Sequence, residues 1–286
     1  MPSISSPVSV ELFPHDSVKK NCFDLPITPK HAKAVQNQGK VYLVGAGTGD
    51  PELLTIKAYK TILQADVICY DNLVSDEILA LNTTAEKIYV GKKCHQHSMS
   101  QQDINSLLVK LAKQGKTVVR LKSGDPFIFG RGGEEMQTVI SAGVACESIA
   151  GITTALAVAN SVNIPLTHRD YAQSVKFVTG FLKADTPNEQ YAELLADNQT
   201  VVFYMGLNTL PNLTQGLLQA GKSADTPFAI IANVSRPNEQ VLVATLSTIQ
   251  ALQNDAKLPS PAVMIMGDVV SLYHQLNTPT LTYAAL

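Results

Sequence analysis

The stretch 120–135, R-L-K-S-G-D-P-F-I-F-G-R-G-G-E-E, is the most informative part of this chain. It follows an apolar run that predicts a β-strand over 117–121, and it ends in a Gly-Gly pair that opens a predicted helix. Glycine lets a loop bring its backbone close to a ligand, and Asp125 places one carboxylate at that point. Arginines flank the loop on both sides. The stretch therefore predicts a ligand site between a strand and a helix.

Strand and helix patterns alternate around this stretch, which predicts repeated βα winding over a mostly parallel sheet. Asp50 is expected to cap a helix that has Pro51 at its first position. Apolar residues at helical spacing predict the buried face of that helix: Leu54, Ala58, Ile62 and Ala65. The remaining predicted strands lie at 40–44, 67–70, 88–90 and 144–149. The remaining predicted helices lie at 100–115, 134–142 and 152–162.

The segment 163–167, N-I-P-L-T, interrupts this pattern and predicts a hinge. Beyond it, strands are predicted at 175–178, 201–204, 228–232, 240–245 and 262–266, with a helix at 209–220. No full helix separates 228–232 from 240–245, so these two strands are expected to pair antiparallel. Ser247 is expected to cap a short helix. The fold class is α/β: two α/β domains, 40–165 and 166–286, with a cleft between them. Residues 1–39 are expected to form a mobile extension or a loosely docked arm.

Composition limits the function classes. A net charge of −2 over 286 residues argues against nucleic-acid binding. Apolar runs are too short to span a membrane and no signal peptide is evident, so a cytoplasmic protein is expected. Cys69 and Cys146 are interpreted as buried hydrophobes. Cys94, His95 and His97 lack a second ligand cluster, so no metal is expected.

The glycine-rich segment 45–50, G-A-G-T-G-D, does not match a dinucleotide fingerprint. That motif requires glycine at position 50, where this chain has an aspartate. An acidic cap at a helix N-terminus would repel a pyrophosphate. A nicotinamide site is therefore excluded.

Asp71 and Lys92 follow predicted strands at the edge where open α/β sheets bind ligands. They are either a proton acceptor and donor or merely an ordinary cap or surface pair, and the residues alone favour the second interpretation. Core packing is the usual explanation for a methionine at the position of Met205. Three of the four arginines, Arg120, Arg131 and Arg169, fall between this loop and mid-chain. This uneven distribution of arginines fits an anionic ligand and surface ion pairs equally well.

Together these segments resemble the uroporphyrinogen-III C-methyltransferases of the tetrapyrrole methylase superfamily, over about residues 40–270. The similar segments are V-Y-L-V-G-A-G-T-G-D-P-E-L-L-T at 41–55, A-D-V-I-C-Y-D-N-L-V at 65–74, the opening stretch at 120–135, G-I-T-T-A at 151–155, I-P-L-T-H-R-D-Y-A-Q-S-V at 164–175 and V-F-Y-M-G at 202–206. The run H-S-M-S-Q-Q-D-I-N at 97–105 and the segment at 164–175 are more particular to the uroporphyrinogen enzymes.

The resemblance implies a homodimer with S-adenosylmethionine as methyl donor in the cleft. It implies that Asp71 accepts a proton and Lys92 donates one. Cofactor binding is implied for Thr48, Ser123, Gly124, Asp125, Ile128, Thr153, Thr154, Met205, Val234 and Ala262. Carboxylates of the tetrapyrrole substrate are expected to meet Arg131, Arg169 and His97. Thr48 and Ala150 replace prolines of the family pattern, Ser123 replaces a glycine, and Val234 stands where a small residue is common.

The resemblance implies transfer of two methyl groups to carbons 2 and 7 of uroporphyrinogen III, giving precorrin-2 for sirohaem or cobalamin-type biosynthesis. Two alternatives stay open. One is a methylase of a later corrin intermediate or of ribosomal RNA, and the other is a non-catalytic binder of cofactor or tetrapyrrole. Because no dehydrogenase and chelatase module precedes the methylase region, an enzyme without that fusion is expected.

Overall fold

The first half of the chain forms one parallel sheet. The computed structural model describes residues 39–91, 99–180 and 191–277. Its first five strands are β1 (Lys40–Gly45), β2 (Val67–Tyr70), β3 (Glu86–Tyr89), β4 (Thr117–Lys122) and β5 (Ala145–Ile149). They pair in the order β3-β2-β4-β1-β5, and every pair is parallel. The carboxyl ends of all five strands therefore lie along one edge.

Helices connect these strands as the alternating pattern predicts. They are α1 (Ile56–Leu63), α2 (Asp76–Ala80), α3 (Gln101–Lys113), α4 (Gly132–Ser141) and α5 (Thr154–Ser161). Ala58 and Ile62 on α1 are fully buried, as predicted, whereas Leu54 precedes this helix and Ala65 follows it. Ser100 begins α3 with a reciprocal capping box to Asp103. The short helix α2 was not predicted.

The second half forms a mixed sheet. Its strands are β6 (Ser174–Thr179), β7 (Gln199–Tyr204), β8 (Pro227–Ala232), β9 (Gln240–Thr245) and β10 (Ala262–Met266), in the order β6-β7-β10-β8-β9. Only β6 and β7 pair in parallel. The antiparallel pairing of β8 with β9 is confirmed. The accompanying helices are α6 (Leu210–Gln219), α7 (Ile249–Ala256) and α8 (Leu272–Leu276).

Apolar layers cover both faces of each sheet. In β1, Leu43 packs into one cluster and Val44 into the cluster on the opposite face. In β7, Val202 and Phe203 divide between two clusters in the same way. Strands buried on both faces need continuous apolar runs rather than alternation. These continuous apolar runs explain why the strands could be predicted from the sequence.

Two predicted helix starts were wrong. Asp50 does cap a turn, since its Oδ1 accepts a hydrogen bond from the Glu52 N–H at 2.8 Å, but that turn is a 3₁₀ helix of three residues, Pro51–Leu53. The α-helix begins later, where Thr55 caps Ile56–Leu63. Similarly, Thr248 rather than Ser247 precedes α7. Either of two adjacent polar residues can cap a helix, and the course of the chain in the folded protein determines which one does.

No helix within residues 39–91, 99–180 and 191–277 is long and apolar enough to cross a membrane.

Candidate active site

Loops that follow neighbouring strands are joined at the carboxyl edge of the first sheet. The loop after β1 and the loop after β4 exchange two backbone hydrogen bonds: Gly47 N–H donates to Gly124 O at 3.2 Å, and Gly124 N–H donates to Gly47 O at 2.6 Å. A Cβ at Gly151 would lie 2.2 Å from Gly124 O, and one at Gly45 would lie 2.5 Å from the Gly151 Cα. Only glycine fits this approach, so the glycines of the three loops set the shape of the site.

Asp125 ties these loops together. Its Oδ1 accepts from Phe127 N–H at 2.9 Å, and its Oδ2 accepts from Gly151 N–H at 3.1 Å. Both carboxylate oxygens are thus engaged by backbone donors of the protein. Asp125 fixes the turn and the next loop, and it does not line the adjacent cavity.

A cavity of about 610 Å³ lies beside the joined loops and is lined from both halves of the chain. Of the residues predicted to bind cofactor, those lining it are Thr48, Ser123, Thr154, Met205, Val234 and Ala262. Gly124, Asp125, Ile128 and Thr153 lie outside its lining. The volume and the mixture of apolar and polar walls are typical of a small-molecule site.

Three positions that depart from the family pattern are accommodated in the structure. Ser123 does not have a positive φ, so it holds its turn without the strain that a left-handed conformation would impose. The Thr48 side chain is buried, and its Oγ1 has no hydrogen-bond partner among the described residues. Ala150 is held through its carbonyl, which accepts from Thr55 Oγ1 at 3.2 Å.

Met205 does not pack in a core. Its side chain is 57% exposed and its φ is 57°, in the left-handed region. The core-packing interpretation of this residue was wrong. A strained, exposed methionine at the cavity wall fits a ligand contact better than a packing role.

Tyr204 was not predicted as a site residue, yet its hydroxyl joins β7 to the start of α5 at the cavity wall. That hydroxyl lies 2.7 Å from Thr153 Oγ1 and accepts from Ala155 N–H at 2.9 Å. Burial raises the pKa of Tyr204, so the phenol stays neutral. The Phe129 ring centroid lies 5.0 Å from that of Tyr204. The sequence offered only its position, one residue before Met205, as a signal.

A buried charge cluster lies behind the site. Arg120 is 4% exposed, Lys122 is 5% exposed and Glu135 is fully buried. Glu135 Oε1 lies 3.0 Å from Lys122 Nζ and 3.4 Å from Arg120 Nε. Burial lowers the pKa of Lys122, the Arg120 charge lowers it further, and Glu135 opposes both effects. Arg120 is therefore neither a surface pair nor a cation open to a ligand.

Asp71 connects this cluster to the sheet edge. Its Oδ2 lies 3.4 Å from Arg120 Nη2, and its Oδ1 accepts from Leu73 N–H at 3.2 Å. The side chain is 24% exposed. Asp71 thus combines solvent access with a fixed orientation. Asp71 does cap its own turn, as one of the two interpretations predicted, and its charged partner is a buried arginine rather than a surface cation.

Two other predicted polar residues, Arg131 and Arg169, do not reach the cavity. Arg131 and Arg169 are exposed and neither lines it. Arg131 instead pairs with Glu134, Nη2 to Oε2, at 2.5 Å. Lys92 and His97 lie outside the described residues, as do Cys94, His95 and the extension 1–38. Within the described residues there is no group of three or more metal-ligating side chains.

The cysteines that the structure describes are free thiols. Cys69 is fully buried, as expected, and burial raises its pKa to about 12. Cys146 is only half-buried, which corrects its assignment as a buried hydrophobe, and burial raises its pKa to about 11. Neither thiol forms a thiolate at neutral pH.

The fold and the cavity define an α/β protein with two sheets and a ligand site lined from both. The family model Tetrapyrrole (Corrin/Porphyrin) Methylases matches residues 40–250. The chain belongs to this family.

Individual relatives agree with that membership. A siroheme synthase of Psychrobacter cryohalolentis is 54% identical over 91% of this chain and 50% of its own length. The chain spans about half the length of the curated relatives it matches. Among solved structures, a uroporphyrin-III C-methyltransferase of Thermus thermophilus is 38% identical, with a TM-score of 0.72 over 84% of this chain and 99% of that one. A second structure of it, complexed with S-adenosylhomocysteine, has a TM-score of 0.70 over 82% and 100%. A cobalt-precorrin-4 methyltransferase is 26% identical, with a TM-score of 0.71 over 81% and 95%.

Proposed function

We propose that this chain is an S-adenosylmethionine-dependent C-methyltransferase that converts uroporphyrinogen III to precorrin-2 by methylation at carbons 2 and 7. The observation that carries the proposal is the cavity beside the glycine loops, lined from both halves by Thr48, Ser123, Thr154 and Met205. The 38% identity to the Thermus thermophilus uroporphyrin-III C-methyltransferase, over nearly all of that chain, favours this substrate over later corrins. The product would serve sirohaem or cobalamin-type biosynthesis.

The residues at the cavity fit S-adenosylmethionine. Val234, Ala262 and Val263 supply apolar walls, while Ser123 and Thr154 supply hydroxyl groups. The Thr48 Oγ1 is itself buried, so Thr48 lines the cavity through its other atoms. Thr153 and Gly124 support these walls from behind, through Tyr204 and Gly47. Asp125 and Ile128 shape the turn in the same way.

When bound, S-adenosylmethionine supplies an electrophilic sulfonium methyl group. The chain's contribution is chiefly positioning, which provides roughly 7 kcal/mol or more in well-oriented reactions. The joined glycine loops form one wall, and the hydrogen bonds of Tyr204 tie β7 to the start of α5 on the other. The enzyme needs no covalent intermediate, because an electron-rich pyrrole carbon is itself the nucleophile.

Asp71 is the proposed proton acceptor. Transfer of the methyl group to a pyrrole carbon leaves a positive charge on the ring, and the ring then loses a proton that a half-buried carboxylate at the sheet edge can accept. Arg120, 3.4 Å away, keeps the carboxylate oriented. Lys92 remains the proposed donor, and Arg131, Arg169 and His97 remain the proposed contacts to substrate carboxylates.

The organisation of the protein is part of the proposal. We propose domains at 40–165 and 166–286, preceded by the extension 1–39, and a homodimer as the assembly. Binding of nucleic acid is not expected from the net charge of −2. A cytoplasmic location stays a prediction.

Incubation with uroporphyrinogen III and methyl-labelled S-adenosylmethionine tests the activity. We expect a dimethylated product from the wild-type protein. Tight binding of S-adenosylhomocysteine without methyl transfer to uroporphyrinogen III would refute the assignment and favour a non-catalytic binder. Transfer only to a later corrin in a substrate panel would favour the other alternative.

Asp71→Asn tests the proton acceptor separately. We expect turnover to fall about 100-fold or more while the affinity for S-adenosylhomocysteine is retained. The matched control is Asp255→Asn, on the exposed surface of α7, which should leave turnover unchanged. If Asp71→Asn retains control-like turnover across the pH range, Asp71 is not the acceptor.

A further inference from the structure

A second cavity, of about 660 Å³, adjoins the first. Asn72 and Arg236 line both cavities. None of the residues expected to enclose the methyl donor lines the second cavity, whose walls include Gly49, Asp50 and Ser75. The second cavity is therefore distinct from the first, and Asn72 and Arg236 lie on the boundary between them.

Arg236 is the only lysine or arginine among the described residues that line either cavity. It comes from the loop between β8 and β9, and its backbone N–H donates to Asn233 O at 3.0 Å. Glu239 Oε2 accepts from the neighbouring Ser235 N–H at 2.7 Å, which fixes this turn. The Nη2 of Arg236 donates to Leu73 O in the first half at 2.8 Å. The first two contacts fix the turn that carries Arg236, and the third orients its guanidinium.

No carboxylate of the described residues pairs with Arg236. The ion pairs of those residues reach Arg120 and Arg131, but none reaches Arg236. The side chain is half-buried, and most of its N–H donors have no partner of their own in the described part of the chain. A guanidinium held in this way matches a ligand carboxylate in a bidentate geometry.

We propose that Arg236 binds a carboxylate of the tetrapyrrole acceptor where the two cavities meet, and so determines how the ring is presented for methylation. This inference rests on the proposed function. Asp50, Asp76 and Glu77 line the second cavity and repel carboxylates, so among the described residues of its lining Arg236 is the favourable position for one. Asn72 and Leu73 directly follow Asp71. A carboxylate held at Arg236 therefore fixes the ring relative to the proposed proton acceptor.

The second cavity favours the acceptor as the source of the carboxylate over the methionine part of the methyl donor. The donor's expected contacts lie on the first cavity, whereas Arg236 also faces the second. A macrocycle in the first cavity can present one of its acidic side chains to Arg236, which lines that cavity as well. If the carboxylate belongs to the acceptor, substitution of Arg236 changes KM for uroporphyrinogen III. If it belongs to the methyl donor, the substitution changes the affinity for S-adenosylhomocysteine.

The test compares Arg236→Gln and Arg236→Lys with Lys113→Gln. Lys113 is an exposed cation in the last turn of α3, at the opposite edge of the sheet, so its loss matches the change in net charge. Steady-state kinetics with uroporphyrinogen III give KM and kcat, and calorimetry gives the affinity for S-adenosylhomocysteine. For Arg236→Gln we expect KM for uroporphyrinogen III to rise about tenfold or more, with unchanged affinity for S-adenosylhomocysteine.

Two further readouts distinguish binding from a purely structural role. Arg236→Lys keeps the charge but not the paired donors, so it should restore KM in part. Added salt should raise KM of the wild-type protein more than that of Arg236→Gln, because one ligand ion pair is already lost in the variant.

A wild-type protein without methyl transfer would contradict the proposed function itself. With an active wild type, three results would overturn the inference alone. They are a KM equal to that of Lys113→Gln, a change confined to S-adenosylhomocysteine affinity, and a loss confined to kcat. A loss confined to kcat would mean that Arg236 does not contribute to substrate binding and acts only through its hydrogen bond with Leu73.

Discussion

Glu135→Gln is the sharpest test of the buried charge cluster. The carboxylate of Glu135 is fully buried, and its Oε1 accepts from Lys122 Nζ at 3.0 Å, Arg120 Nε at 3.4 Å and Gln101 Nε2 at 3.0 Å. Glutamine keeps the shape and an acceptor oxygen but removes the charge. The substitution therefore isolates the electrostatic part of the interaction.

The magnitude follows from these distances. At an effective dielectric constant of about 20, unit charges this close attract by roughly 5 kcal/mol, and part of that attraction offsets the desolvation of burial. Removing one partner of a buried ion pair costs about 3–5 kcal/mol. Since glutamine still accepts hydrogen bonds, we expect Glu135→Gln to lower the free energy of unfolding by about 3 kcal/mol at pH 7.

The loss should depend on pH through Lys122. Burial holds the pKa of Lys122 below its ordinary 10.5. Between the folded pKa and 10.5 the unfolded chain binds more protons, so stability rises with pH in that window. Because Glu135 raises the pKa of Lys122, its neutralisation lowers that pKa further and extends the window toward neutral pH. Glu135→Gln should recover part of its lost stability as pH rises toward 10.

Urea unfolding at pH 7 and at higher pH measures both effects. Glu134→Gln is the matched control, because Glu134 is the preceding residue of the same helix and forms only an exposed pair with Arg131. We expect no measurable change for this control. The reasoning fails if Glu135→Gln unfolds at the same midpoint as Glu134→Gln. It also fails if the stability difference between Glu135→Gln and the wild type does not shrink with rising pH.

Two further predictions concern the loops and the cavity wall. Tyr204→Phe leaves Thr153 and a backbone N–H without a partner, so it should cost about 1–2 kcal/mol and weaken S-adenosylhomocysteine binding, with exposed Tyr59→Phe as control. Equal unfolding midpoints and equal affinities for the two variants would contradict this. Gly132→Ala places a Cβ 2.4 Å from a proline carbonyl oxygen and should destabilise the protein, whereas Gly133→Ala meets nothing within 4 Å and should stabilise it by about 0.5–1 kcal/mol. Thermal unfolding of the pair decides, and a reversed order would refute the packing argument.

The sheets were largely predictable from the sequence. Runs such as 67–70 and 201–204 are apolar throughout because both faces of their strands are covered. The glycines of 45–49 and 120–135 also predicted the loops that form the site. Helix starts were less predictable, as Asp50 and Ser247 illustrate, since neighbouring polar residues offer equivalent caps.

The buried charge cluster has a signature in the sequence of β4. Arg120 and Lys122 are two residues apart in a strand, so they point to the same face of β4. Two cations on a buried face require a buried anion. The sequence alone does not identify Glu135 as that anion, because its position depends on how α4 packs against the sheet.

The sequence by itself determined the α/β winding, the glycine loops and the placement of Asp71 at the end of a strand, because each depends on residues close together in the chain. Only the tertiary structure decided which charges are buried and which line the cavities. Arg131 and Arg169 resemble Arg120 in the sequence, yet Arg120 alone is enclosed. Arg236 reaches Leu73 across 163 positions of the chain. Contacts at that separation arise from the packing of the two sheets, which no local pattern encodes.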